Sequence, residues 1–396
     1  MFRRYAISEI GDIISGATPK TTVPDNFGGE IPWLTPADLS GYTGKYISHG
    51  ARNLTRQGYD SCSTHLMPAG TVLLSSRAPI GYVAIAKNEI CTNQGFKSIV
   101  PKTFVNSEFL YYQLKSLKNT LQNLGSGTTF KELSAKKLAT VQVVIPSLEE
   151  QKSIVSKIEE LFSRLDASVA ELQTAKEKLK VYRQAVLKEA FDSVQANSKR
   201  VTIKSVCETI KVGIVIKPTQ YYVEQGGVFA FRNANVRRNY IEDKDWAMIS
   251  QEGHQKNLKS QVHIGDVLIA RSGVNLGMAA TVPQKYDGYN AIDVVIAVPK
   301  KEFILSQYLA QYTNSPYGLE IVRKNQHGAA QGHLNVKEYG NLPIFLPNIP
   351  EQYSLLKKIE SRLSVCDNIE QTIDTSLQQA EALRQSILKQ AFEGEM

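Results

Sequence analysis

The stretch from Ser147 to Phe191 contains no glycine or proline, and its apolar residues fall at steps of three and four. Ile154, Ile158, Leu161, Leu165, Val169, Leu172, Ala175, Leu179, Tyr182, Val186 and Ala190 form one narrow stripe, with charges on the remaining faces. That periodicity predicts a single amphipathic helix whose stripe is wide enough for one partner helix. Pro146 and Ser147 followed by Glu149 and Glu150 mark its start, since a capping hydroxyl and first-turn carboxylates suit the exposed N–H groups of a helix amino end. At ~1.5 Å per residue such a helix runs roughly 60 Å, too long for the interior of one ordinary domain.

A second copy follows. Residues 346–393 align with 145–192 without a gap, at an offset of 201, and 16 of the 48 positions are identical. The copy keeps the stripe at Leu355, Ile359, Leu363, Cys366, Ile369, Ile373, Leu377, Ala380, Leu383 and Ile387. Equal spacing in two helices of one chain fits pairing along their length. The first helix leaves one domain and ends at the next, so a second helix folding back on it is expected to be antiparallel and to bring Phe392 near the N-terminal domain.

The repeat sets the domain plan: a mixed α/β domain over 1–147, a spacer helix over 148–198, a second α/β domain over 199–347 and a second spacer helix over 348–396. In the first domain Gly70, Gly81 and Gly95 each precede a short β-type run, TVLLSS, YVAIA and FKSIV, and Ser107 is expected to cap a helix over EFLYYQLKSLKNTL. The second domain answers with GDVLIARSG (265–273) against GTVLLSSRA (70–78), FILSQYLAQYTNS (303–315) against FVNSEFLYYQLKS (104–116), and HGAAQGHLNVK (327–337) against SGTTFKELSAK (126–136). The framework repeats while the loops differ. Two modules of one fold with different targets would give that pattern, and so would drift of surface loops after duplication.

The two helical segments carry 13 basic against 16 acidic side chains, which leaves 33 against 22 for the rest of a chain with 46 and 38. The net charge of +8 therefore belongs to the domains, where a phosphate backbone is a natural counterpart. Cys62, Cys91, Cys207 and Cys366 stand far apart, so metal or redox CxxC pairs are excluded and buried free thiols are expected. MFRRYAISEIG has no signal-peptide pattern and no apolar run reaches the ~18 residues of a membrane span, so a cytoplasmic location without membrane contact is expected.

No phosphate-binding GxxxxGK[ST], no GxGxxG after a strand, no Asn-Pro-Pro-aromatic tetrapeptide and no HExxH is present. The six histidines are scattered, and pairing of carboxylates such as Asp38 or Asp293 is not visible in sequence. The chain is expected to hold no catalytic group, cofactor or metal of its own. The loops instead offer nucleic-acid chemistry. RNANVRRNY (232–240) interleaves arginine and asparagine, the side chains that bond guanine and adenine edges in bidentate fashion. DNA-contacting candidates are Thr18, Lys20, Ser75, Ser76, Arg77, Ser126, Thr128, Thr129 and Lys131 in the first domain. In the second they are Lys217, Arg232, Asn233, Asn235, Arg237, Arg238, Arg271, Ser272, Gln331 and His333. Hydroxyls and lysines suit phosphate, and Arg77 suits a base.

IPSLEEQKSIVSKIEELFSRLD and YRQAVLKEAF, with their echoes LPNIPEQYSLLKKIE and LRQSILKQAFEG, resemble the repeated spacer regions of the specificity (S) subunit of type I restriction-modification systems. NQGFKSIV (93–100) with GSGTTFKELS (125–134) is similar to that family's N-terminal-domain pattern, whereas NAIDVVIAV and GAAQGHLNV depart from it in the second domain. The resemblance covers the whole chain. It implies a non-enzymatic reader of double-stranded DNA in which each target-recognition domain contacts half of a split, asymmetric site and antiparallel helices set the gap. It further implies two methyltransferase (M) subunits docked on the helices, with Arg183, Gln184, Leu187, Arg384, Gln385 and Leu388 as candidate contacts, and restriction (R) subunits joining them. S-adenosylmethionine, ATP and Mg would then be used by those partners and not by this chain. Two other readings stay open: a coiled-coil protein scaffold that reads no DNA, and a fused enzyme, against which the missing motifs argue.

Overall fold

The computed structural model describes residues 3–127, 131–324 and 333–393, and the elements below are those of the described residues. The chain divides into two compact units, one of residues 1–172 with 375–396 and the other of residues 173–374.

Unit one holds β1 (Arg4–Ala6), β2 (Gly11–Ser15), β3 (Phe27–Leu34), β4 (Tyr46–Ile47), β5 (Arg52–Leu54), β6 (Val72–Ser76), β7 (Ile80–Ala86), β8 (Cys91–Thr92), β9 (Lys97–Pro101) and β10 (Gln142–Val144). They form a sheet of order β2-β9-β6-β7-β4, a second sheet of order β5-β3-β8, and the ribbon β1-β10. Helix Ser107–Ser116 packs on the first sheet through Phe109, Leu110 and Leu114. Its N-cap is Asn106, whose Oδ1 accepts from Phe109 N at 2.9 Å, and not Ser107 as expected; the Ser107 hydroxyl donates instead to Gly70 O. Gly70 sits at φ +87, a conformation open to glycine, and its carbonyl is thereby aimed at that hydroxyl.

Unit two repeats the plan with β11 (Lys199–Thr202), β12 (Cys207–Val212), β13 (Val228–Phe231), β14 (Ala247–Ile249), β15 (Val267–Ala270), β16 (Ala279–Thr281), β17 (Asn290–Ala291), β18 (Val294–Pro299) and β19 (Pro343–Leu346). The sheets run β12-β18-β15-β16 and β14-β13-β17, with the ribbon β11-β19. Strand for strand this is unit one without its edge strand β4. Gly265 takes the place of Gly70, at φ +89, and the Ser306 hydroxyl donates to its carbonyl.

The two long helices are Leu148–Gln195 and Ile349–Glu393. Both start with a capping box, in which Ser147 and Glu150, or Asn348 and Glu351, exchange side-chain bonds with each other's backbone N–H. One turn further in, Gln151 and Gln352 are fully buried and make the same three bonds: to the carbonyls of Phe104 and Pro146 and from the N–H of Asn106 in unit one, and to Phe303, Pro347 and Leu305 in unit two.

Pairing within each unit is antiparallel. In unit two Lys176 bonds Asp374 at 2.5 Å, Arg183 bonds Asp367 at 2.6 Å and Arg362 bonds Glu189 at 2.7 Å, so numbers rise on one helix as they fall on the other. In unit one Arg384 bonds Asp166, the pair that the 201-residue offset generates from Arg183 and Asp367. Phe392 meets Phe109 edge to face with ring centroids 5.2 Å apart, and Phe191 meets Tyr308 likewise at 5.5 Å. The stripes are heptads: Ile158, Leu165, Leu172, Leu179 and Val186 on one helix, and Ile359, Cys366, Ile373, Ala380 and Ile387 on the other. Four expected stripe residues lie outside the seam. Ala175, Tyr182, Ile369 and Leu383 are exposed, because a seam of period 3.5 turns past them and brings the half-buried Arg183 inward to Asp367 and Glu370.

Candidate nucleic-acid interface

In unit one four loops are tied into one cluster. Ala17 N donates to Thr92 O (3.0 Å), Ser76 N to Gly95 O (2.7 Å) and Leu133 N to Ser76 O (2.8 Å), while Ser126 and Glu132 exchange backbone bonds at 3.1 and 2.9 Å. The approach of loop 15–20 to β8 requires a glycine at 16, since a Cβ there would collide with the Thr92 carbonyl. The Thr18 hydroxyl donates to Gln94 Oε1, and Lys97 Nζ, almost buried, lies 3.7 Å from Glu132. Lys20, Ser126 and Lys131 are exposed at the rim, and Thr18 and Arg77 are half-exposed.

Ser75 and Ser76 are corrections to the sequence reading. Both are fully buried in β6, where Ser75 Oγ donates to Pro79 O and accepts from Tyr82 N, so neither hydroxyl has surface with which to reach a phosphate. Thr128, Thr129 and Gln331 lie outside the described residues.

Unit two builds the corresponding cluster from different side chains. Ile214 N donates to Ala291 O (2.8 Å), Asp293 N to Ile214 O (3.1 Å) and Leu334 N to Arg271 O (2.9 Å). Gly213 occupies the position of Gly16, and a Cβ there would likewise collide with the Ala291 carbonyl. Asn233 is the hub: Oδ1 accepts from Arg271 N (2.8 Å), Nδ2 donates to Ser272 Oγ (2.9 Å), and its carbonyl accepts from Asn275 Nδ2 (2.9 Å). Arg271 is held by Leu334 O through Nε (3.1 Å) and by Asp293 through Nη1 (3.3 Å), leaving 11% of its side chain exposed. Asp293, unassigned in the sequence, thus fastens two loops through its backbone and its carboxylate.

Asn235 is a further correction. It is fully buried, accepts from Arg232 N and donates to the carbonyls of Glu242 and Lys244, so it closes a turn and does not meet solvent. Arg232 donates to Asp245 O, and Arg237 lies 3.6 Å from Glu242. Lys217, Arg238 and His333 are exposed.

Of the helix residues, Leu187 and Leu388 are also corrected: each is buried in the core of its own unit. Arg183 and Arg384 spend their charge on the facing helix, and Gln184 and Gln385 remain half-exposed and exposed. Sequence reasoning missed Gln94, Lys97 and Glu132. A lysine inside the apolar run FKSIV was the available signal for Lys97.

Burial pushes the thiols of Cys91 and Cys207 up to about 12, which removes them as nucleophiles near neutral pH. Among the described residues no group of three metal-ligating side chains occurs, and no helix is long and apolar enough to cross a membrane.

Two copies of one loop-bearing α/β module, each completed by an antiparallel helix pair, define a tandem recognition protein. Residues 2–177 match the family described as type I restriction modification DNA specificity domain. Over 152 residues the chain is 48% identical to the type I restriction enzyme MjaIX specificity subunit of Methanocaldococcus jannaschii, an alignment spanning 38% of this chain and only 35% of that relative. It is 24% identical to the EcoBI specificity subunit of Escherichia coli over 99% of this chain and 86% of the relative. The fold is that of the HsdS subunit from Thermoanaerobacter tengcongensis (TM-score 0.56, 18% identity, 100% and 97% coverage). It is also that of a chain solved in work on assembly and conformational transition of the type I R-M system (TM-score 0.73, 20% identity, 100% and 98% coverage). The specificity-domain family is thus matched over residues 2–177, and the fold shared with these solved chains extends over the rest of the sequence.

Proposed function

We propose that each unit reads one half of a bipartite, asymmetric DNA site through its loop cluster, and that the chain carries this reading to methyltransferase and restriction subunits in the cytoplasm. The observation that carries the reading is the duplicated cluster itself: one framework of backbone bonds in both units, with different side chains at the rim. A shared scaffold with divergent rims gives two half-sequences of unrelated identity. Lys20, Lys131, Lys217 and Arg238 would meet phosphate, which positions the protein without reading sequence. Chemistry would stay with the partners, so S-adenosylmethionine, ATP and Mg would be bound there.

Selection of bound duplexes from random DNA by the chain assembled with its methyltransferase tests this. The expected result is a split site with two conserved halves. Recovery of unselected DNA would favour a protein scaffold, and methyl transfer by a homogeneous preparation of this chain alone would overturn the non-catalytic assignment.

A further inference from the structure

The hairpin between β15 and β16 ends in an unusual side chain. Val274 is 96% exposed at its apex, between Gly273, at φ +72, and Asn275, which is buried. Turn apices ordinarily take glycine, asparagine or aspartate. A solitary exposed aliphatic residue is unremarkable in itself, so its setting decides its meaning.

This apex is rigid. Leu276 N donates to Gly273 O (3.1 Å), Gly277 N to Ala270 O (2.8 Å) and Met278 N to Asn275 O (2.8 Å), while the Asn275 side chain anchors the turn to Asn233 O. Val274 is β-branched and stiff about χ1, so a contact with it orders almost nothing further. The neighbouring loop carries a second such group: Ile216 is 77% exposed beside the exposed Lys217, and Asp293 ties that loop to Arg271 at the base of the hairpin. Bare aliphatic groups on fixed loops with cationic side chains beside them suit a surface that is anionic and displays small apolar groups. In the DNA major groove the thymine 5-methyl is that group.

We infer that Val274 reads a thymine methyl in the half-site of unit two, with Ile216 available to a second apolar contact. The inference rests on the DNA-reading function proposed above. In unit one the corresponding hairpin, between β6 and β7, presents Arg77 and Ala78 in its turn. The two copies therefore offer different chemistry from one hairpin: a guanidinium in one and an aliphatic group in the other.

The test uses the assembled complex and the duplex it selects from random DNA, with thymines replaced one at a time by deoxyuridine, which keeps base pairing and lacks the methyl. Wild-type protein should lose binding roughly fourfold at one position of one half-site, the worth of one apolar carbon returned to water. Val274→Ala should bind the unmodified duplex several-fold more weakly and be indifferent to deoxyuridine at that position, while Val274→Ile should retain the methyl preference. Indifference of the wild type to every replacement overturns the inference, as does full methyl sensitivity in Val274→Ala, or an equal loss by Val274→Ala on all sequences. Each of these leaves the DNA-reading function standing, whereas failure to select any duplex overturns both.

Discussion

Lys20 and Arg77 reach the rim of one loop cluster with different chemistry, and their substitution separates positioning from reading. Arg77→Ala should relax sequence choice at one position of one half-site, at a cost of about 1–3 kcal/mol on the preferred duplex. Lys20→Ala should weaken all sequences alike and lower the salt slope by about one. Site selection and salt titration on both variants check this; a uniform loss for both makes Arg77 a phosphate contact. Glu108 carries a pH signature. Burial alone would raise its carboxyl, and hydrogen bonds from Lys45 and Tyr46 outweigh that and hold it below its ordinary 4.5. Its contribution to stability is therefore present above about pH 4.5 and lost as pH falls through the lowered value. The gap in melting temperature between wild type and Glu108→Gln should be open at pH 7 and close on acidification; a gap independent of pH removes the ion pair as its cause. Why Ser75, Ser76 and Asn235 misled the sequence reading is also a matter of this scale. A hydroxyl or amide has the same letter whether it faces water or closes a turn, and only strand register and the Asn235 bonds to Glu242 and Lys244 decide between the two.

At the scale of elements, the long helices were the most legible part of the chain, because heptads and capping boxes are local in sequence. The stripe departs from the seam at Ala175, Tyr182, Ile369 and Leu383 since steps of three and four do not distinguish a period of 3.6 from one of 3.5. Over several heptads the difference rotates a residue out of the seam. Gln151 and Gln352 were not singled out, although both stand within the repeated EQ of the helix starts. Each satisfies three backbone groups from two other segments of its unit, so truncation leaves buried partners without bonds. Gln151→Ala should destabilise unit one by roughly 3 kcal/mol, and Gln352→Ala should do the same to unit two. Denaturant unfolding with a probe in each unit measures this; a loss under ~1 kcal/mol for both would show that water replaces the amide. The loop clusters were legible only as candidates. Their convergence depends on bonds between residues far apart in the chain, such as Leu133 to Ser76 and Leu334 to Arg271.

For the whole molecule, duplication was readable from an ungapped alignment, and with it the return of Phe392 to the first domain. The division of the chain that results is unequal in one respect. Unit two is a continuous run, residues 173–374, whereas unit one takes Ile387, Leu388, Ala391 and Phe392 from the far end of the sequence into its core beside Val155, Ile158 and Phe162. A fragment of residues 173–374 should therefore fold cooperatively by itself. A fragment of residues 1–172 should do so only when a peptide of residues 375–396 is added, which circular dichroism and amide exchange would report; cooperative folding of 1–172 alone would show that the helical strip is dispensable. The same closure has a consequence for biosynthesis. Translation runs from the amino end, so the residues that seal unit one leave the ribosome after all of unit two has been made. At ~5–20 residues per second that is about ten to forty seconds after Leu172. During that wait the nascent chain displays an open apolar strip, which makes it a client for chaperones. A message cut short within the last helix would yield a finished unit two joined to an unsealed unit one, a product marked for proteolysis.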